Sequence, residues 1–178
     1  MRIIAGQWRG RPIIAPKGEA TRPTADRIRE ALFSMLTSRL GSFEELAVAD
    51  LFAGSGALGL EALSRGAASC VFVEQDRAAI DSLKANVARL GTKADIRAQS
   101  VLALGPALAP LDVILMDPPY GTGAGAVALD KLARLGWVGE ATWVSIETAK
   151  SEPVEVDGFT VEADRVHGKA RITLLRRA

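Results

Sequence analysis

The chain carries one cysteine, Cys70, and one histidine, His167, in 178 residues. A single cysteine excludes an internal disulfide and a cysteine-rich metal site, and its place in the apolar run Cys70-Val71-Phe72-Val73 marks it as a buried structural thiol. One histidine supplies no metal cluster, so no metal is expected. No stretch approaches the roughly twenty apolar residues of a membrane span, and no apolar core follows the basic N-terminus. The expected location is the cytoplasm. Internal repeats and low-complexity tracts are absent as well. Net charge is only +1, which taken alone argues against a nucleic-acid partner. The average conceals an asymmetry. Residues 1–39 hold eight Lys or Arg against three acids and residues 165–178 hold five against none, so each end carries +5 and the middle −9. Two basic arms that converge near a pocket would form a phosphate-binding rim; solvated surface charge is the alternative.

What is present suits one continuous core: 178 residues of which 48% are apolar. Ile3-Ile4 and Ile13-Ile14 flank a turn containing Gly6, Trp8 and Gly10, which predicts an N-terminal hairpin. Trp8 either stacks on an unpaired base or packs the hairpin onto the domain. A helix is expected from Pro23-Thr24, with Thr24 as N-cap and Ile28, Leu32, Met35 and Leu36 as its apolar stripe. Strands are expected over residues 47–52, 70–74, 95–98, 113–116 and 143–148, and an antiparallel pair over 159–164 and 171–175. Helices are expected from residue 60, over 77–90 with Gly91 as C-cap, over 101–108 and over 127–135. Residues 121–126, rich in glycine, read as a flexible flap beside the pocket or as a plain linker. Alternating strands and helices followed by a hairpin indicate an α/β, doubly wound and mostly parallel sheet, whose ligands lie at the carboxyl ends of its strands.

Asp117-Pro118-Pro119-Tyr120 directly follows the apolar run Val113-Ile114-Leu115-Met116. An acid, two rigid imides and an aromatic ring are thereby set at the end of a buried strand. That arrangement suits methylation of a planar amine. The exocyclic amine of a nucleobase shares its lone pair with the ring and is a poor nucleophile, so fixed acceptors must hold its N–H bonds. The Asp117 carboxylate and a proline-fixed carbonyl can accept them, and Tyr120 can stack on the base. A strand end closed by a proline turn is the plainer alternative.

A second constellation runs from Asp50-Leu51-Phe52 into Ala53-Gly54-Ser55-Gly56-Ala57-Leu58-Gly59 and then a helix. Glycines let the backbone approach a ligand, and the helix start offers unpaired N–H groups. The next strand ends in Glu74, twenty residues beyond Gly54, where an acid can grip a ribose diol. Gly54, Gly56 and Gly59 also fit the G-x-G-x-x-G pattern of nicotinamide-dependent oxidoreductases. Asp50 would face a pyrophosphate there, no separate substrate domain follows, and Asp117-Pro118-Pro119-Tyr120 would have no use. S-adenosylmethionine fits better than NAD, because Asp50 can accept hydrogen bonds from a methionine ammonium.

The blocks Arg2-Ile3-Ile4-Ala5-Gly6-Gln7-Trp8-Arg9-Gly10-Arg11, Arg22-Pro23-Thr24-Ala25-Asp26-Arg27-Ile28-Arg29-Glu30-Ala31-Leu32-Phe33, the glycine loop and Asp117-Pro118-Pro119-Tyr120 occur in order along nearly the whole chain. Together they resemble the bacterial 16S ribosomal RNA guanine-N2 methyltransferases. The resemblance implies a class I S-adenosylmethionine-dependent, Rossmann-like fold with a seven-stranded sheet and helices on both faces. It implies a basic hairpin and helix over residues 1–40 joined to a methyltransferase domain over 41–178 in one compact unit. Methyl transfer to N2 of guanine 966 of 16S RNA is the implied reaction, within the small subunit or an assembly intermediate, by a monomer. Catalytic roles fall to Asp117, Pro118, Pro119 and Tyr120. Cofactor contacts fall to Asp50, Phe52, Ala53, Gly54, Ser55, Gly56, Glu74, Gln75, Ser100 and Val101. Ser100 stands where such enzymes carry Asp or Asn against the adenine, so it is a weaker hydrogen-bonding candidate. RNA contacts fall to Arg2, Trp8, Arg9, Arg11, Arg22, Thr24, Arg27 and Arg29. Another planar amine, adenine N6 in DNA or a protein glutamine, and an idle RNA-binding protein are the remaining alternatives.

Overall fold

Side chains that alternate across buried strands decide the architecture, since each strand must feed two apolar faces. The computed structural model describes residues 1–15 and 23–178. In chain order the elements are α1 (Pro23–Leu40), β1 (Ala47–Leu51), α2 (Ala57–Ser64), β2 (Ser69–Glu74), α3 (Arg77–Leu90), β3 (Asp95–Ala98), β4 (Leu111–Met116), α4 (Ala124–Arg134), β5 (Val138–Ala149), β6 (Phe159–His167) and β7 (Ala170–Arg177). The sheet has seven strands in the order β3-β2-β1-β4-β5-β7-β6. Pairs from β3 to β5 are parallel, and β7 runs antiparallel to both β5 and β6. Val48, Val113 and Leu115 face one core with Leu32, Phe33 and Leu36 of α1, Leu60 of α2 and Leu83 of α3. Ala49, Leu51, Ile114 and Met116 face the other, with Leu129 and Leu132 of α4. Helices therefore cover both faces, as expected.

Several bounds differ from the sequence reading. α1 begins at Pro23, so Thr24 lies inside the helix rather than at its N-cap; a proline's fixed φ suits the first helical position. The helix expected over 101–108 shrinks to a single 3-10 turn, Val101–Ala103, because Gly105-Pro106 and Pro110 deny it a continuing backbone. The expected flap is ordered. Residues 121–123 form a turn and α4 starts at Ala124, with Gly123 in the left-handed region at φ 67. Gly125 is there for closeness: a Cβ would stand 2.7 Å from Ile146 and 3.2 Å from the Pro118 ring.

The N-terminal hairpin consists of one bridge, Arg2 to Pro12, with Ile3 and Ile13 buried beneath it. Its backbone is held by polar side chains far along the chain. Glu61 of α2, fully buried, accepts from the amides of Ile4 at 2.9 Å and Ala5 at 3.0 Å. Arg29 and Arg65 pair with the same carboxylate at 3.4 and 3.0 Å. Ser64 binds the Trp8 amide at 3.0 Å, and Asn86 of α3 binds Ile14 through both its amide atoms. Asn86 also donates to the Ser55 carbonyl at 2.9 Å, so one side chain joins the arm to the glycine loop.

Candidate active site

The parallel strands end along one edge, and the acids singled out from the sequence meet there. A cleft of about 710 Å³ is lined by Asp50 of β1, Glu74 of β2 and Asp117-Pro118-Pro119-Tyr120 after β4. Phe52, Ala53, Gly54 and Ser55 form its floor, Gln75 and Val101 one flank, and Met1, Ala15 and Ala25 part of its mouth. Sequence distances of up to 70 residues collapse because parallel strands share a direction.

The loop after β1 is built for close approach. Phe52 holds a left-handed backbone at φ 59, which costs a side-chain-bearing residue about 1 kcal/mol or more. Gly56 lies behind the cleft surface at φ 87, where a Cβ would strike Leu83 at 2.3 Å. It turns the chain into α2.

Asp50 is 1% exposed. Its Oδ2 accepts from the Gly59 amide at 2.9 Å, whereas its buried Oδ1 has no hydrogen-bond partner among the described residues. Burial pushes its carboxyl up to about 8 against the pull of the Gly59 amide, and the negative Glu74 adds to the rise. Such a buried acceptor is costly unless a cationic donor reaches it. Glu74 accepts from Gly54 at 2.8 Å through Oε1, and from Gln75 at 2.9 Å and Asp76 at 2.8 Å through Oε2. Its orientation is fixed by main chain, and Oε1 keeps capacity for a hydroxyl donor.

Asp117 is exposed to the cleft and Pro118 is buried beneath it. Met116 pairs with Ile146, so Asp117, just past β4, and Glu147 of β5 follow side by side, close enough for their carboxyl groups to influence each other. Burial raises Glu147 above the usual carboxylate range, opposed by the bond from Tyr120 and by Asp117 beside it. Tyr120 donates its hydroxyl to Glu147, and its ring is 45% exposed over the cleft. Burial, the bond to Glu147 and the negative charges of Glu147, Asp117 and Glu152 all push the phenol up, so it stays a donor. The turn after Tyr120 is pinned by Glu152, which accepts from Gly121 at 2.7 Å and Ala149 at 3.1 Å; those amides hold it below its ordinary range.

Sequence reasoning missed Glu147, Asp76 and Gln99, which all line the cleft. Glu147 could have been found as an acid that follows the apolar Ile146 near the end of β5, level with Asp117. Gln99 lines the cleft where Ser100 was expected; the Ser100 hydroxyl instead accepts from the Leu102 amide at 3.2 Å and caps the 3-10 turn. The cysteine is the buried thiol expected, pushed up by burial and by Asp50.

The basic residues divide. Arg29 was expected to reach RNA, but it is 3% exposed and spent on Glu61, Asp26 and the Arg2 carbonyl. Trp8, Arg9 and Arg11 were expected to contact RNA, with packing of the hairpin onto the domain as the alternative for Trp8. The hairpin tip instead lies against Ser64 and Arg89, at the ends of α2 and α3 away from the cleft. Ser64 is seven residues beyond Ala57, roughly 10 Å down the helix from the cleft floor. Trp8 packs against the core at that far end, so it is too distant to stack on a base in the cleft. Arg2 donates to the Gly10 carbonyl at 2.7 Å within the hairpin. Arg27 is exposed on α1, whose start borders the cleft through Ala25. Arg22 lies outside the described residues, and so does the Thr24 side chain. No cluster of metal-ligating residues and no helix long and apolar enough to cross a membrane occurs among the described residues.

The profile of the family described as conserved hypothetical protein 95 matches residues 1–176. Ribosomal RNA small subunit methyltransferase D of Escherichia coli K12 is 34% identical, over 99% of this chain and 90% of that protein. The protein of the same name from Haemophilus influenzae is 38% identical, over 94% of this chain and 89% of its own length. The solved structure of Escherichia coli yhhF superposes with a TM-score of 0.85 at 34% identity, covering 99% of this chain and 97% of that one. Magnesium protoporphyrin IX methyltransferase from Synechocystis, solved with bound S-adenosylmethionine, shares the fold at a TM-score of 0.67 and 14% identity, covering 90% and 87% of the two chains.

Proposed function

We infer that this chain, which belongs to the conserved hypothetical protein 95 family, is an S-adenosylmethionine-dependent methyltransferase of small-subunit ribosomal RNA, and that its target atom is the exocyclic N2 of a guanine. The observation that carries the reading is the meeting of Asp50, Glu74, Asp117 and Tyr120 in one cleft. Asp50 Oδ1, buried and unpartnered, fits the methionine ammonium, and Glu74 Oε1 fits a ribose hydroxyl. The main chain of Ala53, Gly54 and Ser55 would carry the methionine, while Gln75, Gln99 and Val101 would flank the adenine. S-adenosylmethionine supplies an electrophilic methyl group on a sulfonium.

The protein's work lies on the acceptor side. The Asp117 carboxylate and the Pro118 carbonyl accept the two N–H bonds of the amine and turn its nitrogen lone pair toward the cleft floor; the Pro119 carbonyl is already taken by Thr122 at 2.7 Å. As positive charge grows on the amine nitrogen, Asp117 offsets it and takes the departing proton, directly or through water. The base must first leave its stack, at a cost of a few kcal/mol. Stacking on Tyr120 offsets roughly 1 to 3 kcal/mol of that. Glu147 holds the Tyr120 hydroxyl beside Asp117, which fixes the ring in advance. Exposed Arg27 suits a phosphate beside the cleft, and Arg9 and Arg11 suit RNA at a distance from the target.

Methyl-labelled cofactor offered in parallel to small-subunit RNA, DNA and protein, with the product digested to nucleosides, tests the proposal. Label in N2-methylguanosine is expected, from naked RNA, the small subunit or an assembly intermediate, with the enzyme acting as a monomer. Label confined to adenine or to glutamine would refute the assignment.

A further inference from the structure

Resting on that reading of an RNA substrate, we propose that Lys150, Lys169 and Arg171 form a subsite for RNA phosphates flanking the target nucleotide. The three side chains line a shallow depression of about 460 Å³ between the end of β5 and the β6–β7 turn, together with Ala149, Ser151 and Val166. No acid lines it, although Asp164 at its rim pairs with Arg171 at 3.2 Å.

Two observations make this more than scattered surface charge. The first is place. Arg171 pairs with Thr148 across the β5–β7 ladder, and Thr148 adjoins Glu147 in the cleft. Two strand spacings, roughly 10 Å, separate Asp117 from this patch along one sheet edge. The arginines of the N-terminal hairpin sit at the other end of the helices. The second is rigidity. The Lys150 amide donates to the Lys169 carbonyl at 2.9 Å, and Arg171 Nε donates to the Lys150 carbonyl at 3.0 Å. The β5 exit and the β6–β7 turn are thereby clamped, and both lysines spring from a fixed backbone. Val166, 45% exposed beside them, offers an apolar surface to a sugar or base. An RNA strand whose target enters over Tyr120 would lay its adjoining phosphates across this depression.

Steady-state methylation of small-subunit RNA by the full chain at several salt concentrations tests the proposal. The variants are Lys150→Ala/Lys169→Ala and, as the far-end comparison, Arg9→Ala/Arg11→Ala. The lysine double variant should raise KM for RNA roughly tenfold and lower the slope of log KM against log salt by about 1.4, two phosphates at about 0.7 each. Its kcat at saturating RNA and its Kd for S-adenosylmethionine should match wild type, and the arginine pair should change KM less. Unchanged KM and salt slope in the lysine variant would overturn the subsite while leaving the methyltransferase reading intact. Failure of the wild type to methylate any RNA would overturn that reading and the subsite with it.

Discussion

The Tyr120 hydroxyl and the Glu147 carboxylate meet at 2.6 Å across the seam between β4 and β5. Each is thereby spoken for by a neighbour on the adjacent strand, and the ring over the cleft has one orientation. Removing either partner releases the same constraint. Tyr120→Phe and Glu147→Ala should each lower kcat about tenfold, with cofactor Kd unchanged, and the double variant should be little worse than either single one. Glu147→Gln, whose amide oxygen still accepts from the phenol, should keep most of the activity. Additive losses in the double-mutant cycle would show that the contact is incidental.

Asp117→Ala should reduce turnover by about a thousandfold or more, since the amine then loses its charged acceptor. Binding of S-adenosylmethionine, followed by calorimetry, should survive. Tyr120→Ala should chiefly raise KM for RNA, by the roughly 1 to 3 kcal/mol of a lost stack. Near-normal turnover in the Asp117 variant would remove it from the mechanism.

Asp50 makes stability depend on pH in a defined direction. Its carboxyl is near 8 when folded against an ordinary 3.8, so the folded state holds the proton more tightly. The stability this confers is full below about pH 4 and is lost as pH rises through about 8. Urea unfolding of the cofactor-free protein at pH 6 and pH 9 should show wild type losing stability relative to Asp50→Asn. A bound ammonium favours the carboxylate, so cofactor binding near pH 7 should release a proton from wild type but not from the variant. Calorimetry in buffers of different ionisation enthalpy reads that proton.

Glu61 is a fully buried charge with two cationic partners and two main-chain donors. Glu61→Ala leaves the buried Arg29 with only the partly exposed Asp26 as counter-charge, and leaves the Ile4 and Ala5 amides without their acceptor. The cost should be about 3 to 5 kcal/mol of unfolding free energy, measured by urea titration. A loss under about 1 kcal/mol would mean that water enters and solvates Arg29.

Gly125→Ala should act on catalysis through packing. The added methyl group would crowd Ile146 and the Pro118 ring, and relieving that contact moves the peptide that carries Asp117. A destabilisation of about 1 to 3 kcal/mol is expected, with kcat falling several-fold at unchanged cofactor Kd.

Much of the site is legible in the sequence. The strands around 48–51, 71–73 and 113–116 are apolar runs of the right length, and a parallel topology then obliges Asp50, Glu74 and Asp117 to share an edge. Glu147 escaped notice because an acid in a strand that also carries Glu140, Thr142 and Ser145 looks the same whether it faces water or a catalytic neighbour. Glycines misled at 121–126, where composition suggests mobility but Gly125 serves close packing of α4. The arm misled for another reason. Nothing local tells that Glu61, Ser64 and Asn86, 56 to 72 residues away from their partners, would lay the hairpin along the helices and carry Trp8 from the cleft.

That long-range docking of the hairpin bears on how the chain is made. Its first fifteen residues emerge from the ribosome well before the side chain that grips Ile14, which lies 72 residues later. At about 5 to 20 residues per second, the nascent segment waits several seconds, with Ile3 and Ile13 uncovered, for its partner to appear. Because Asn86 touches Ser55 as well, that one amide ties the arm, which Glu61 and Ser64 also grip, to the wall behind the glycine bend.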